Sequence, residues 1–203
     1  MVQHARFLGW MAVLATCLAG CPLALQPDGG GSTPAATTTG PGDTASTGET
    51  LGTQLAGTDL TAQFPDCGEP AEGEAWRARI LELVNQERAQ AGLAALAHST
   101  VLEAQATQYA CEMIHYGYFS HINPFTGTEL QDRAAEFGYA YVWIGENLAA
   151  GQPTPEEAFD GWMNSEGHRD NILAPYFAEL GVGVRTGGEY GTYWVQEFGS
   201  PRP

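Results

Sequence analysis

The sequence predicts an α+β domain in which helices cover an antiparallel sheet, and three observations carry that prediction. From Trp76 onward, apolar residues recur at helical spacing. Two capping boxes, Thr100-Val101-Leu102-Glu103 and Thr154-Pro155-Glu156-Glu157, open further helices. The last third then changes to a period of two, so that strands adjacent in sequence follow the helices.

With 203 residues the chain has room for one ordinary domain plus appended segments, and 43% hydrophobic residues suffice for a core. Its 24 acidic residues face 8 basic ones, all arginine, for a formal net charge of -16. Such a polyanion disfavours nucleic acid and is not drawn to anionic lipid, and no local basic patch offsets the excess.

The first 21 residues read as an export signal: His4 and Arg6, an apolar run from Phe7 to Leu18, then Leu18-Ala19-Gly20-Cys21. That tetrapeptide resembles a bacterial lipobox. Cleavage would remove residues 1–20 and leave Cys21 as a lipid-bearing N-terminus held in the membrane. The alternative is ordinary cleavage, with a secreted product and Cys21 a bystander. Residues 21–64 are rich in glycine, serine, threonine and proline and cannot bury enough surface to offset their ordering entropy, so they read as a flexible tether before a domain spanning 65–203. With Cys17 discarded and Cys21 acylated, Cys67 and Cys111 remain in an oxidising compartment, either bridged or as two buried thiols. A bridge would fasten the segment before the domain to the helix that carries Cys111.

Trp76, Ile80, Leu83, Val84 and Glu87 place a first helix that runs to about Ala91 and stops at Gly92, with Asn85 and Arg88 on one face as structural hydrogen-bonding residues. The helix opened by Thr100 carries a stripe of Leu102, Ala106, Tyr109, Ala110 and Met113 and ends at Gly117. His115 at its end complements the helix dipole. An aromatic turn, Tyr118-Phe119-Ser120-His121-Ile122-Asn123-Pro124, delivers His121 and is stiffened by its proline. A short helix around Glu129 to Phe137 follows, bearing Arg133 as a further structural residue, then the segment Trp143 to Ala149, for which the pattern gives no secondary structure. A helix from Pro155 to Asn164 buries Ala158, Phe159, Trp162 and Met163. Finally, Leu180, Val182 and Val184, then Tyr193, Val195 and Glu197, alternate in two strands joined through Gly187-Gly188.

The stretch Trp162 to Leu173 is the strongest functional candidate. Ser165 is placed to cap a short second helix by accepting from the backbone of Gly167 or His168, which puts His168 in the first turn. The helix dipole there opposes imidazolium, and a neutral imidazole is what a metal ligand or general base requires.

Six blocks match, in order, motifs of the bacterial CAP-superfamily (SCP-like) domains: Tyr118-Phe119-Ser120-His121, Gly145-Glu146-Asn147-Leu148-Ala149, Trp162-Met163-Asn164-Ser165, Gly167-His168-Arg169-Asp170-Asn171-Ile172-Leu173, Gly181-Val182-Gly183-Val184 and Tyr193-Trp194-Val195-Gln196-Glu197-Phe198-Gly199. The chain thus resembles that superfamily from about Trp76 to Gly199. The resemblance implies a three-layer α-β-α sandwich with a central antiparallel sheet and a cavity where two histidines and two glutamates meet. His121, Glu146 and His168 occupy matching positions. Ser165 stands where eukaryotic members have glutamate, so the usual carboxylate pair of a glycosidase is lacking.

Two neutral imidazoles, His121 and His168, suit one divalent ion, zinc most readily, with Glu146 as a third ligand or the holder of a bound water. The bland alternative for Glu146 is a carboxylate that braces the Gly145–Asn147 turn. Two classes of function follow. The favoured one is a cell-surface or extracellular binding module for a small apolar molecule, a glycan or another surface protein. The other is a metal-dependent hydrolase of envelope or extracellular material with Glu146 as base. What separates them is whether a second acid converges with Glu146, and Glu166 and Glu197 are the candidates.

Overall fold

The computed structural model describes residues 60–203 together with the two-residue strand Ala24–Leu25. The expectations for the export signal, for Cys21 and for most of the tether lie outside the described residues. In chain order the elements are β1 (Ala24–Leu25), α1 (Leu60–Gln63), α2 (Gly73–Gln90), β2 (Ala97–His98) and α3 (Thr100–Tyr116). Then come α4 (Leu130–Glu136), β3 (Tyr141–Ala150), α5 (Pro155–Met163), α6 (Glu166–Ile172), β4 (Glu179–Gly187) and β5 (Gly191–Pro201). The strands order as β1-β3-β5-β4-β2, with β3, β5 and β4 antiparallel and two-residue β2 lying parallel to β4.

The two faces of the sheet divide the helices into the layers of an α-β-α sandwich. Trp194 and Phe198 of β5, with Leu180, Val182 and Val184 of β4, face Ile80 and Val84 of α2, Phe159 and Trp162 of α5 and Ile172 of α6. Tyr193 and Val195 of β5, with Leu148 of β3, face the Ala106, Tyr109, Ala110 and Met113 stripe of α3. Each such large apolar side chain contributes about 1.5–3 kcal/mol when fully buried. On the α3 face, β4 presents Gly181 and Gly183. A Cβ on Gly181 would lie 2.2 Å from the Glu103 nitrogen, and one on Gly183 would lie 2.4 Å from the Ala106 carbonyl carbon. The Gly-Val-Gly-Val alternation is thus a strand with side chains on one face and a helix pressed onto the other.

The predicted helix ends hold. α2 is followed by Gly92 at φ 72°, and Gly117 ends α3 in the left-handed conformation at φ 68°, its N–H donating to the Met113 carbonyl. Thr154 caps α5 by accepting from the Glu157 N–H at 3.2 Å. Arg88 is 1% exposed and donates to the carbonyls of Ala94, Ile172 and Ala174, each at 2.8 Å, tying α2 to the end of α6. Asn85 exchanges two hydrogen bonds with the Leu96 backbone.

Several expectations need correction. The segment Trp143 to Ala149 lies within strand β3. Leu60–Gln63 are helical and Phe64 is 2% exposed, so packed chain begins inside the stretch assigned to the tether. Phe64 packs with Cys67, and Cys67 is bridged to Cys111, 44 residues away on α3. The N-cap of α3 is Ser99, and Glu103 turns outward to His98 and Arg77 rather than back to the backbone. Ser165 is the N-cap of α6 by backbone conformation, but its side chain makes no capping hydrogen bond.

Candidate functional site

Strand β3 is built around four residues with different physical tasks. Gly145 has no side chain because a Cβ there would lie 2.7 Å from the Phe177 ring. Glu146 points to the α3 face and is 1% exposed. Asn147 points to the opposite face, where its Nδ2 donates to the His168 carbonyl and to Gln196 Oε1, both at 3.0 Å, and its Oδ1 accepts from Asn171 at 2.9 Å. Leu148 fills the core, and its carbonyl accepts from Trp162 Nε1 at 3.1 Å. The carbonyl of Glu146 accepts from Asn171 Nδ2 at 3.2 Å. Side chains from α5 and α6 therefore cover stretches of backbone that β5 does not pair.

Glu146 holds the centre together. Its Oε2 accepts from Arg133 Nη2 at 2.5 Å, and its Oε1 lies 2.6 Å from His121 Nδ1. Arg133 is presented by α4, whose first turn is closed by a reciprocal capping box between Glu129 and Asp132. The guanidinium stacks 3.5 Å from the Tyr109 ring centroid and also donates to the His121 carbonyl at 3.2 Å. Tyr109 in turn donates to the Ser120 carbonyl at 2.5 Å. The loop carrying His121 is thus fastened by two side chains from the helical layer.

The charge state follows. Burial would raise the Glu146 pKa, but the Arg133 charge and the His121 hydrogen bond outweigh it and hold the carboxyl below its usual range. An ionised carboxylate only accepts, so His121 Nδ1 carries the hydrogen and Nε2 is left free. His168 is pushed below the usual histidine value, first by burial and then by the nearby His121. It is therefore neutral, as expected, though burial rather than the helix dipole is the main cause.

Glu197 stands directly opposite Glu146 in the β3–β5 register and is fully buried. Burial and the Glu146 charge push its pKa well above the usual range, against the opposing effect of Arg133. A second acid does converge with Glu146, but it lies beneath the site with no access to solvent. Glu166 is exposed at the start of α6. His115 is held by Asp66 at 2.7 Å and takes no part.

These residues fit a divalent ion in one specific way. His121 offers Nε2, its ring held in place at Nδ1 by a carboxylate, and His168 offers a second imidazole. Glu146 does not fit as a third ligand or as a general base, because its two oxygens are committed to His121 and Arg133. Among the described residues no group of three or more His, Cys, Asp or Glu side chains is arranged to hold a metal. Any ion would rest on two imidazoles, with its remaining positions open.

The profile of the cysteine-rich secretory protein family, CAP, matches residues 81–198, and the chain belongs to that family. The uncharacterized protein YkwD of Bacillus subtilis is 41% identical over 129 residues, 64% of this chain and 49% of its own. The uncharacterized membrane protein YlbC of the same organism is 37% identical over 120 residues, 59% of this chain and 33% of its own. Among solved structures, an extracellular protein containing an SCP domain from Bacillus anthracis is 32% identical with TM-score 0.56, over 62% of this chain and 40% of that one. An outer surface protein of Borrelia burgdorferi, 19% identical with TM-score 0.57, over 62% of this chain and 92% of its own, shares the fold. The chain spans about half the length of YkwD and a third of YlbC. Among the described residues no helix is long and apolar enough to cross a membrane.

Proposed function

We propose that this chain is an exported binding module whose recognition surface is centred on His121 and His168. The observation that supports this reading is the 2.6 Å contact between His121 and Glu146, which leaves one imidazole nitrogen aimed away from the carboxylate on a side chain that is 32% exposed. A carboxylate that orients a histidine is the usual second layer of a zinc site. The module takes one divalent ion, zinc most readily, on His121 and His168, and binds a small apolar molecule, a glycan or a surface protein beside it. When bound, the ion supplies a Lewis-acid anchor for a ligand oxygen or nitrogen. The hydrolase alternative is not supported, since neither Glu146 nor Glu197 reaches solvent.

Export and attachment through a lipid on Cys21 complete the reading. The Leu18-Ala19-Gly20-Cys21 sequence and the extracellular character of the Bacillus anthracis relative support it. Replacing Cys21 by alanine then moves the protein from the detergent phase to the soluble fraction.

Calorimetry with zinc tests the centre. His121→Ala and His168→Ala each abolish most binding, while His115→Ala changes little. Parent-like affinity in both of the first two variants overturns the two-histidine reading.

A further inference from the structure

We propose that the turn of residues 122–128 is a membrane-contacting wedge, which dips Ile122 and Phe125 into the headgroup boundary of a zwitterionic bilayer. The large apolar residues that the domain leaves exposed are not scattered. Among the described residues there are five, and three of them, Tyr116, Ile122 and Phe125, lie between residues 116 and 125. A fourth, Tyr190, stands 5.9 Å from Phe119 of the same segment, and Tyr176 lies apart beside Trp143. Phe125 is 68% exposed, with its ring 5.8 Å from that of Tyr116 and 6.1 Å from that of Tyr118. A gathered apolar patch of this kind marks a contact surface.

Charge, shape and hydrogen bonding choose a lipid surface as the occupant. No Asp, Glu, Lys or Arg occurs between Glu112 and Glu129, the longest such interval after residue 64 in a chain of net charge -16. The patch therefore offers no charge to complement a protein partner, and a second copy of the chain is repelled by its own charge. Residues 124–127 are all exposed, so the tip projects, whereas a small ligand needs a concave site. The turn also satisfies its own backbone donors. The Ile122 N–H donates to Ser120 Oγ at 3.2 Å, that of Asn123 to the Thr128 carbonyl at 3.0 Å, and that of Thr128 to Thr126 Oγ1 at 3.2 Å. The N–H groups of Phe125 and Thr126 both donate to Oδ1 of buried Asn123, at 2.9 and 3.3 Å, and that of Gly127 donates to the Asn123 carbonyl at 2.8 Å. Pro124 has no N–H, and the hydroxyls of Thr126 and Thr128 pair with each other. Every N–H from 122 to 128 thus has a partner within the loop. A segment that enters lipid must meet that condition, and a turn that faces only water is under no such demand.

Tyr116 and Tyr118 stand behind the tip, and tyrosine suits the level where acyl chains meet headgroups. Carbonyls at that depth still meet water. The patch is flanked by acidic groups: Glu112, which accepts from Asn123, Glu129 at the start of α4, and Asp66 beside His115. Anionic lipid is therefore repelled, and the contact is apolar rather than electrostatic. Two apolar side chains hold a protein only weakly, and lasting attachment takes a second signal. A lipid on Cys21 would be that signal, but the wedge itself requires neither that lipid nor an ion on the histidines.

The test uses the full-length protein carrying Cys21→Ala, so that no lipid of its own masks the contact, sedimented with phosphatidylcholine vesicles at millimolar lipid. The expected result is cosedimentation that falls roughly tenfold or more in Phe125→Ser and is kept in Phe125→Trp. Replacing part of the phosphatidylcholine by phosphatidylglycerol should weaken it. Tyr176→Ser, at the exposed aromatic away from the patch, should leave it unchanged. Residue 125 is exposed and takes part in the turn through its backbone N–H, so these substitutions keep the hydrogen bonds of the loop. Absence of binding to phosphatidylcholine overturns the inference and leaves the patch to a protein partner. Parent-like binding in Phe125→Ser, loss of binding in Phe125→Trp, or an equal loss in Tyr176→Ser overturns it as well. So does binding that strengthens with phosphatidylglycerol.

Discussion

Asn147 and His168 are joined by a 3.0 Å hydrogen bond from the asparagine side chain to the histidine's main-chain carbonyl, so the strand that carries Glu146 also fixes the helix that carries the second imidazole. The same amide group serves Gln196 and Asn171. Asn147→Ala is expected to lower stability by about 1–3 kcal/mol, the cost of leaving buried partners unmet. It should also weaken zinc binding more than that loss of stability alone explains, because α6 loses its anchor. Denaturant unfolding and calorimetry measure the two effects separately.

Breaking the buried ion pair has a larger cost. Arg133→Met leaves two buried carboxyl groups without their cation and is expected to destabilise the domain by about 3–5 kcal/mol. Adding Glu146→Gln to that variant removes the stranded charge and should recover part of the loss. A double variant no more stable than Arg133→Met contradicts this account.

Stability should depend on pH in opposite senses at the two carboxyls. The depressed pKa of Glu146 stabilises the fold above the ordinary glutamate value, and that contribution is lost as pH falls through the folded value. The raised pKa of Glu197 works the other way: its contribution is complete below the ordinary value and declines as pH rises toward the folded one. Glu197→Gln is a neutral mimic of the acid and should abolish that decline, by at most about 1.4 kcal/mol per pH unit. Urea midpoints compared between about pH 5 and about pH 8 should therefore converge in the variant.

Removing the Cys67–Cys111 bridge is expected to cost about 2–4 kcal/mol. Cys67→Ser should release α1 and the turn after it first, since Phe64 and Cys67 reach the core beside Cys111. Limited proteolysis near residue 66 should precede global unfolding in that variant. Simultaneous loss of the whole domain argues against it.

Much of this was legible in the sequence because the local signals agreed. β4 and β5 alternate cleanly, the α3 stripe is buried to the last residue, and the glycine stops at positions 92 and 117 carry the positive φ their roles require. β3 was hidden because Ile144 through Ala149 are buried on both faces and include Glu146 and Asn147. A strand with polar residues inside shows neither alternation nor an apolar run. His121, Glu146 and His168 could be singled out from local rigidity and motif, and the structure brings the three into one neighbourhood. Ser165 remains a half-buried helix cap whose side chain makes no capping hydrogen bond. The Arg133–Glu146 pair could not be read, because a 13-residue separation across a loop carries no periodic signal. Alternation did place Glu197 on the inner face with Tyr193 and Val195, and that was the one available hint.

The glycines at 181 and 183 have a mechanical consequence. With helix backbone against strand backbone and no side chains between them, α3 cannot slide, roll or lift relative to β4 without opening a void. That layer behaves as one stiff body, and the bridge to Cys111 braces it further. Any motion that admits a ligand must come from elsewhere, and the tip of the turn at residues 122–128, where Ile122 and Phe125 stand 44% and 68% exposed, is the place for it. The two imidazoles are themselves fastened from different layers, His121 through Tyr109 and Arg133 and His168 through Asn147, so neither shifts without breaking a hydrogen bond to the stiff part of the domain.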